Sequence, residues 1–190
     1  MDDIKKYYEN TENALPTPTV RAIIEMNIKP ENAIDLGCGA GRDTVYLIKN
    51  GWKVLAIDRE NTEKIISSKL NEEEIKKFRF KCQEFENIEL ERNKLLAANF
   101  CIPFCNKNYF NEFWNKITDS ILTEGHFAGN FFGINDSWTK TKNQMVFLTK
   151  EQVLELFKND YEIIKFKEIE KDGKTALGIM KHWHIYNVIA

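Results

Sequence analysis

The stretch Ala33-Ile34-Asp35-Leu36-Gly37-Cys38-Gly39-Ala40-Gly41-Arg42-Asp43 constrains this chain more than any other. A short apolar run leads straight into three glycines on alternate positions. Beyond them, Arg42 to Asn50 carries Val45, Leu47 and Ile48 at helical spacing, with Gly51 as a stop. The pattern is a strand, a tight turn and a helix. In an open α/β sheet such a turn lies at the C-terminal ends of the strands, where ligands bind. Alternating glycines let the backbone approach a ligand without Cβ collisions. Asp35 stands at the end of the strand. A second strand over Lys53 to Asp58 closes on another carboxylate, Asp58, suited to accept hydrogen bonds from both hydroxyls of a ribose.

The remainder of the chain alternates short apolar runs with amphipathic stretches. Residues Ile4 to Asn27 read as helical, split by Pro16 and Pro18. Thr62 to Lys77 reads as one charged amphipathic helix, and Asn108 to Leu122 as a helix with Phe110, Phe113, Trp114, Ile117 and Ile121 on one side. Thr149 and Gln152 form a capping-box pattern ahead of Val153, Leu154, Leu156 and Phe157. Further strands are expected at Phe78 to Phe85, Lys94 to Phe100, Gly125 to Phe132, Tyr161 to Ile169 and His182 to Ile189, with Asp172-Gly173 as the turn between the last two. Helical crossovers make the early strands parallel, and the turn makes the last pair antiparallel.

The run acidic-x-Gly-x-Gly-x-Gly with an acidic end to the second strand resembles the class I S-adenosylmethionine-dependent methyltransferases. The resemblance extends from Ala33 to Ala190. Val45-Tyr46-Leu47 and Gly51-Trp52-Lys53-Val54 are similar to the small-molecule branch that includes tellurite-resistance and thiopurine-type enzymes. It implies a Rossmann-like, seven-stranded, mostly parallel sheet with a terminal reversed hairpin and helices on both faces. Residues 1–190 would form a single domain, with residues 1–30 as N-terminal helices capping the site. The cofactor is expected to be S-adenosyl-L-methionine, the acceptor a small molecule, and the reaction in-line methyl transfer. Gly37, Gly39 and Gly41 would lie along the methionine portion, Asp35 near its ammonium and Asp58 on the ribose. Nicotinamide enzymes use Gly-x-Gly-x-x-Gly instead; here the third glycine comes one residue early, which disfavours an oxidoreductase. A non-catalytic regulator that binds the cofactor is the other alternative.

Five further places carry site candidates. At the third strand's end, Glu84 and Phe85 match the family's adenine contacts, with Glu86 as an alternative register. At the fourth, Asn99 falls where the methyl group should point. The segment Asn99-Phe100-Cys101-Ile102-Pro103-Phe104 departs from the Asn/Asp-Pro-Pro-aromatic signature of some amine methyltransferases. Trp138, in the polar loop after the fifth strand, either stacks on a flat or cationic substrate or plugs the loop. His182 and His184 would face one way on a strand, as a general base or metal ligands, although no carboxylate partner can be assigned to them. Tyr7 and Tyr8 either close over the cofactor or simply pack.

Composition narrows the function classes. Of 190 residues, 43% are hydrophobic and 29% charged, and the net charge of -2 offers no basic field for a phosphate backbone. A nucleic-acid partner is therefore not expected. No apolar run approaches membrane-spanning length, and residues Met1 to Lys6 lack a signal-peptide core, so a cytoplasmic location is expected. Cys38, Cys82, Cys101 and Cys105 lack zinc spacing and are expected as buried free thiols, with no bound metal. Oligomeric state cannot be read.

Overall fold

A computed structural model describes residues 2–159 and 161–190; Met1 and Asp160 of the expected single domain lie outside the described residues. The chain runs through α1 (Asp2–Thr11), α2 (Pro18–Glu25), β1 (Asn32–Leu36), α3 (Arg42–Lys49), β2 (Lys53–Asp58), α4 (Glu63–Ser67), α5 (Glu72–Ile75) and β3 (Phe78–Cys82). It continues through β4 (Asn93–Ala98), α6 (Phe110–Ser120), β5 (Ile121–Phe132), α7 (Lys150–Glu155), β6 (Lys165–Lys174) and β7 (Met180–Ile189). The seven strands form one sheet in the order β3-β2-β1-β4-β5-β7-β6. The first five are parallel, and β7 runs antiparallel to both β5 and β6. This is the expected mostly parallel sheet with a reversed terminal hairpin.

Burial follows the parallel ladder. Strands covered on both faces read as continuous apolar runs, and in β1 Ala33, Ile34 and Leu36 are all buried. One face packs Ile34, Leu36 and Leu96 against α6 and α7 through Trp114, Ile117 and Val153. The other packs Ala33, Val54 and Leu95 against α2 and α3 through Val20, Ile23 and Leu47. Strand β6 forms one edge and is charged at Lys165, Lys167, Glu168, Glu170 and Lys171, which discourages further strand pairing.

Several boundaries differ from expectation, among them the strand expected from Tyr161, which begins at Lys165. The helix expected over Thr62 to Lys77 is two short helices. Asn71 breaks it by opening a new capping box: its side chain accepts from the Glu73 and Glu74 amides while Glu74 bonds back to the Asn71 amide. Strand β3 stops at Cys82, and residues Phe85–Asn87 form a 3-10 turn. Helix α6 ends at Ser120, so β5 begins at once with Ile121, four residues before Gly125. Asp172-Gly173 is not the hairpin turn; both residues lie in β6, paired with His182 and Lys181. The turn lies at Thr175 to Ile179, where Thr175 and Ile179 bond through their main chains at 2.8 Å and Gly178 takes φ +81°.

Candidate active site

The C-terminal ends of β1, β2, β4 and β5 meet at one edge of the sheet. Gly37, Gly39 and Gly41 have φ of +66°, +54° and +80°, a region that favours glycine. A Cβ on Gly37 would stand 2.2 Å from the Cβ of Cys101, so the loop packs directly on the segment after β4. The Gly37 and Cys38 amides both donate to the Ile57 carbonyl, at 2.8 and 3.1 Å. The Gly39 amide donates to Asp58 Oδ2 at 2.8 Å. Asp58 Oδ1 accepts from the Glu60 amide at 3.0 Å and from the Tyr8 hydroxyl at 3.3 Å. A Cβ on Gly39 would stand 3.7 Å from the Tyr8 ring, so Tyr7 and Tyr8 stand over the loop.

Beneath the loop lies a buried polar network. Asp35 Oδ2 accepts from the Thr44 hydroxyl at 2.5 Å. Asp43 Oδ1 accepts from the Thr17 amide at 2.7 Å, and its Oδ2 accepts from the Thr17 hydroxyl at 2.7 Å and from Asn99 Nδ2 at 3.2 Å. Asn99 Oδ1 in turn accepts from the Thr19 hydroxyl at 2.7 Å and from Asn130 Nδ2 at 3.2 Å. Burial pushes both carboxyls up, Asp35 to about 8, and the Asp43 charge adds to the effect on Asp35. A narrow cleft opens above, lined among others by Tyr7, Asp35, Gly39, Arg42, Asp43 and Asn99. Asp43, Arg42, Thr17, Thr19 and Asn130 had not been singled out by sequence. Only Asp43 left a local signal, an acidic residue in the first turn of a helix.

The remaining candidates divide. Glu84 and Glu86 are exposed, and Phe85 stacks on Phe113 with centroids 4.8 Å apart, as part of the core margin. Asn99 lines the cleft, but its amide is engaged on both sides, so it acts as a joint between elements. The next residue, Phe100, has φ +55°, costly for a non-glycine residue, and its amide is held by Asn130 Oδ1 at 2.9 Å. Trp138 faces Phe104, Phe132 and Trp183 at 5.8 to 6.0 Å, and the Lys181 ammonium sits 3.6 Å from its ring centre.

His182 and His184 share the face of β7 opposite Lys181 and Trp183. The carboxylates missing from the sequence reading come from β6. His182 lies 2.8 Å from Asp172 and 3.2 Å from Glu170, and His184 Nε2 lies 3.0 Å from Glu168. Those hydrogen bonds raise the His182 pKa. Glu168, Glu170 and His184 are close enough to hold a metal ion. However, the Asn135 amide donates to His184 Nδ1 at 3.1 Å, which leaves the proton on Nε2, facing Glu168, where a metal would need a lone pair. The row is therefore a hydrogen-bonded ladder. Among the cysteines, Cys38, Cys101 and Cys105 are buried free thiols, whereas Cys82, expected buried, is exposed beside the short β3 edge. Among the described residues no helix is long and apolar enough to cross a membrane.

Sheet order, the single reversed strand and the glycine loop together define the class I S-adenosylmethionine-dependent methyltransferase fold. The family model "Tellurite resistance protein TehB" matches residues 3–175, and the chain belongs to that family. No curated protein matches it by sequence. Among solved structures it is similar to TehB from Haemophilus influenzae (TM-score 0.77, 16% identity, covering 95% of this chain and 63% of that one). The chain thus spans less than two thirds of that protein. It is also similar to 1,6-didemethyltoxoflavin-N1-methyltransferase from Burkholderia thailandensis, with bound 1,6-didemethyltoxoflavin and S-adenosylhomocysteine (TM-score 0.65, 17% identity, 98% and 85% covered). N-methyltransferase NodS from Bradyrhizobium japonicum, in complex with S-adenosylhomocysteine, is a third (TM-score 0.62, 11% identity, 98% and 97% covered). At these identities the likeness is one of fold. These relatives support S-adenosylmethionine as the cofactor.

Proposed function

We propose that this chain transfers a methyl group from S-adenosylmethionine to a small-molecule acceptor. The observation that carries this reading is the charge pattern of the cleft. Carboxylates at Asp35 and Asp43, the Arg42 guanidinium and the Asp58 carboxylate surround a left-handed glycine loop. A zwitterionic amino-acid end calls for both an anion and a cation, and a ribose calls for a carboxylate at the end of the second strand. In this reading Asp35 receives the ammonium and Arg42 the carboxylate. The loop at Gly37, Gly39 and Gly41 flanks the methionine portion, and Asp58 holds the ribose. Glu84 and Phe85 border the adenine, and Asn99 borders the transferred methyl. When bound, S-adenosylmethionine supplies a methyl group on a positive sulfur, open to in-line displacement.

The chain's own task is orientation and exclusion of water. The aromatic groups Phe100, Phe104, Phe132 and Trp183 supply an apolar wall. Among the described residues the groups near it are not free to act as a base: Lys181 is paired with Asp136, His182 and His184 point to the other side of the sheet, and Asn99 cannot take a proton. Acceptors that need little deprotonation suit such a site, and the family's tellurite-resistance name agrees with a soft nucleophile. The small acceptor named with the Burkholderia thailandensis enzyme supports the small-molecule reading.

Isothermal titration with S-adenosylhomocysteine tests the cofactor, and absence of binding would refute the proposal. Asp58→Ala should weaken binding by about 10- to 100-fold, the loss of charge-assisted hydrogen bonds. Radiolabelled methyl transfer across acceptor classes separates an enzyme from a non-catalytic regulator.

A further inference from the structure

Lys181 is a buried cation inside an aromatic box. Its ammonium lies 3.6 Å from the Trp138 ring centre, 3.9 Å from that of Trp183 and 4.9 Å from that of Phe132. Its side chain is 2% exposed and pairs at 2.6 Å with Asp136, which is fully buried. Asp136 is itself fixed by the Trp138 amide at 3.0 Å and the His184 amide at 3.3 Å. The rings come from the end of β5, the loop after it and the start of β7. All of these lie at the sheet edge that holds the glycine loop.

One ring separates this box from the cofactor cleft. Phe100 stands edge-on to Trp183 at 6.2 Å and to Phe132 at 6.4 Å, and Arg42, which lines the cleft, lies 5.6 Å from the Phe100 centre. A box of aromatic faces closed by a carboxylate is the chemistry that binds an ammonium ion. Here the ammonium is tethered to the chain.

We infer that Lys181 determines acceptor specificity: its ammonium fills the cation-binding box beside the methyl-transfer end, so the acceptor is an uncharged or anionic nucleophile and not a cationic amine. A second cation would meet the Lys181 charge in a desolvated space with its only carboxylate already paired. This rests on the methyl-transfer reading above and sharpens its substrate class.

The test uses the full chain and its Lys181→Ala variant. Removing the lysine leaves Asp136 buried without its partner, so the variant should melt about 10 °C lower. Methylammonium or tetramethylammonium chloride should restore at least half of that loss, relative to sodium chloride at equal ionic strength, and leave the wild type unmoved. With radiolabelled cofactor, the wild type should not label a panel of primary and secondary amines, and the variant should label at least one. If Lys181→Ala does not fold, Lys181→Arg keeps a cation in the box and should still refuse the amines. Failure of alkylammonium ions to rescue Lys181→Ala, equal stabilisation of the wild type, or amine labelling by the wild type or by Lys181→Arg overturns the inference. S-adenosylhomocysteine titration of the same proteins reports separately on the cofactor reading.

Discussion

Asp35 is buried beside a second buried carboxylate, and its proton is held to about pH 8. The folded chain therefore keeps a proton that the unfolded chain loses near pH 4. This contribution to stability is full below about pH 4 and is lost as pH rises to about 8. A ligand ammonium placed against Asp35 favours the ionised form, so binding below pH 8 must expel the proton. S-adenosylhomocysteine should bind more tightly as pH rises from about 6 to 8, by at most about tenfold per unit. Titration in two buffers of different ionisation enthalpy should register the released proton, and Asp35→Asn should abolish the release. A flat profile would remove Asp35 from the ammonium site. At this scale the legible residues were those whose reason is local. Gly37, Gly39 and Gly41 answer a backbone demand of the turn, and Asp35 and Asp58 stand at strand ends. Thr17 and Thr19 were not legible, and the place of Asp43 at a helix start did not disclose its role, because the partners lie 26 and 80 residues away in the chain. Lys181 was hidden for the same reason: nothing near Met180 announces Asp136 or Trp138.

Elements followed the same division between local and distant causes. The Thr149–Gln152 capping box is observed, with reciprocal bonds of 3.2 and 2.8 Å, because both partners lie within one turn. Asp172-Gly173 misled because its turn preference is weak beside ten paired positions between β6 and β7. Gly173 serves the strand in another way, since a Cβ there would stand 3.3 Å from the Trp183 ring. The break between α4 and α5 was written locally, in Asn71 and Glu74, but amphipathic periodicity ran straight across it. Helix α7 offers a test of how far such local devices reach. Thr149→Ala removes a cap worth about 1 kcal/mol, which in a domain of this size lowers Tm by about 2–4 °C. S-adenosylhomocysteine affinity should stay unchanged, because α7 packs on the core through Val153 and contributes no residue to the cleft. A change in affinity would mean that α7 positions the site.

Across the whole molecule, α1 ties together parts of the site that the sheet keeps apart. Lys69 Nζ binds both the Glu12 carbonyl, just past α1, and the Ala40 carbonyl of the glycine loop, each at 2.9 Å. Asn10 Nδ2 donates to the Ala176 carbonyl at the β6–β7 turn, at 2.7 Å. Between these ends, Tyr8 places its hydroxyl on Asp58. Each carboxylate oxygen accepts about two hydrogen bonds. Oδ1 is filled by Glu60 and Tyr8, while Oδ2 has one acceptor site free beside Gly39. A ribose that uses both oxygens must therefore displace the Tyr8 hydroxyl. Tyr8→Phe removes the competitor and keeps the ring over Gly39. It should tighten S-adenosylhomocysteine binding by about fivefold, the worth of one hydrogen bond of about 1 kcal/mol. Burial raises the Tyr8 pKa strongly, with the Asp58 charge adding to it, so the hydroxyl keeps its proton and the effect should not vary between pH 6 and 9. Weaker binding by Tyr8→Phe would mean that the hydroxyl contacts the ligand itself, and α1 would then be a fixed wall of the site.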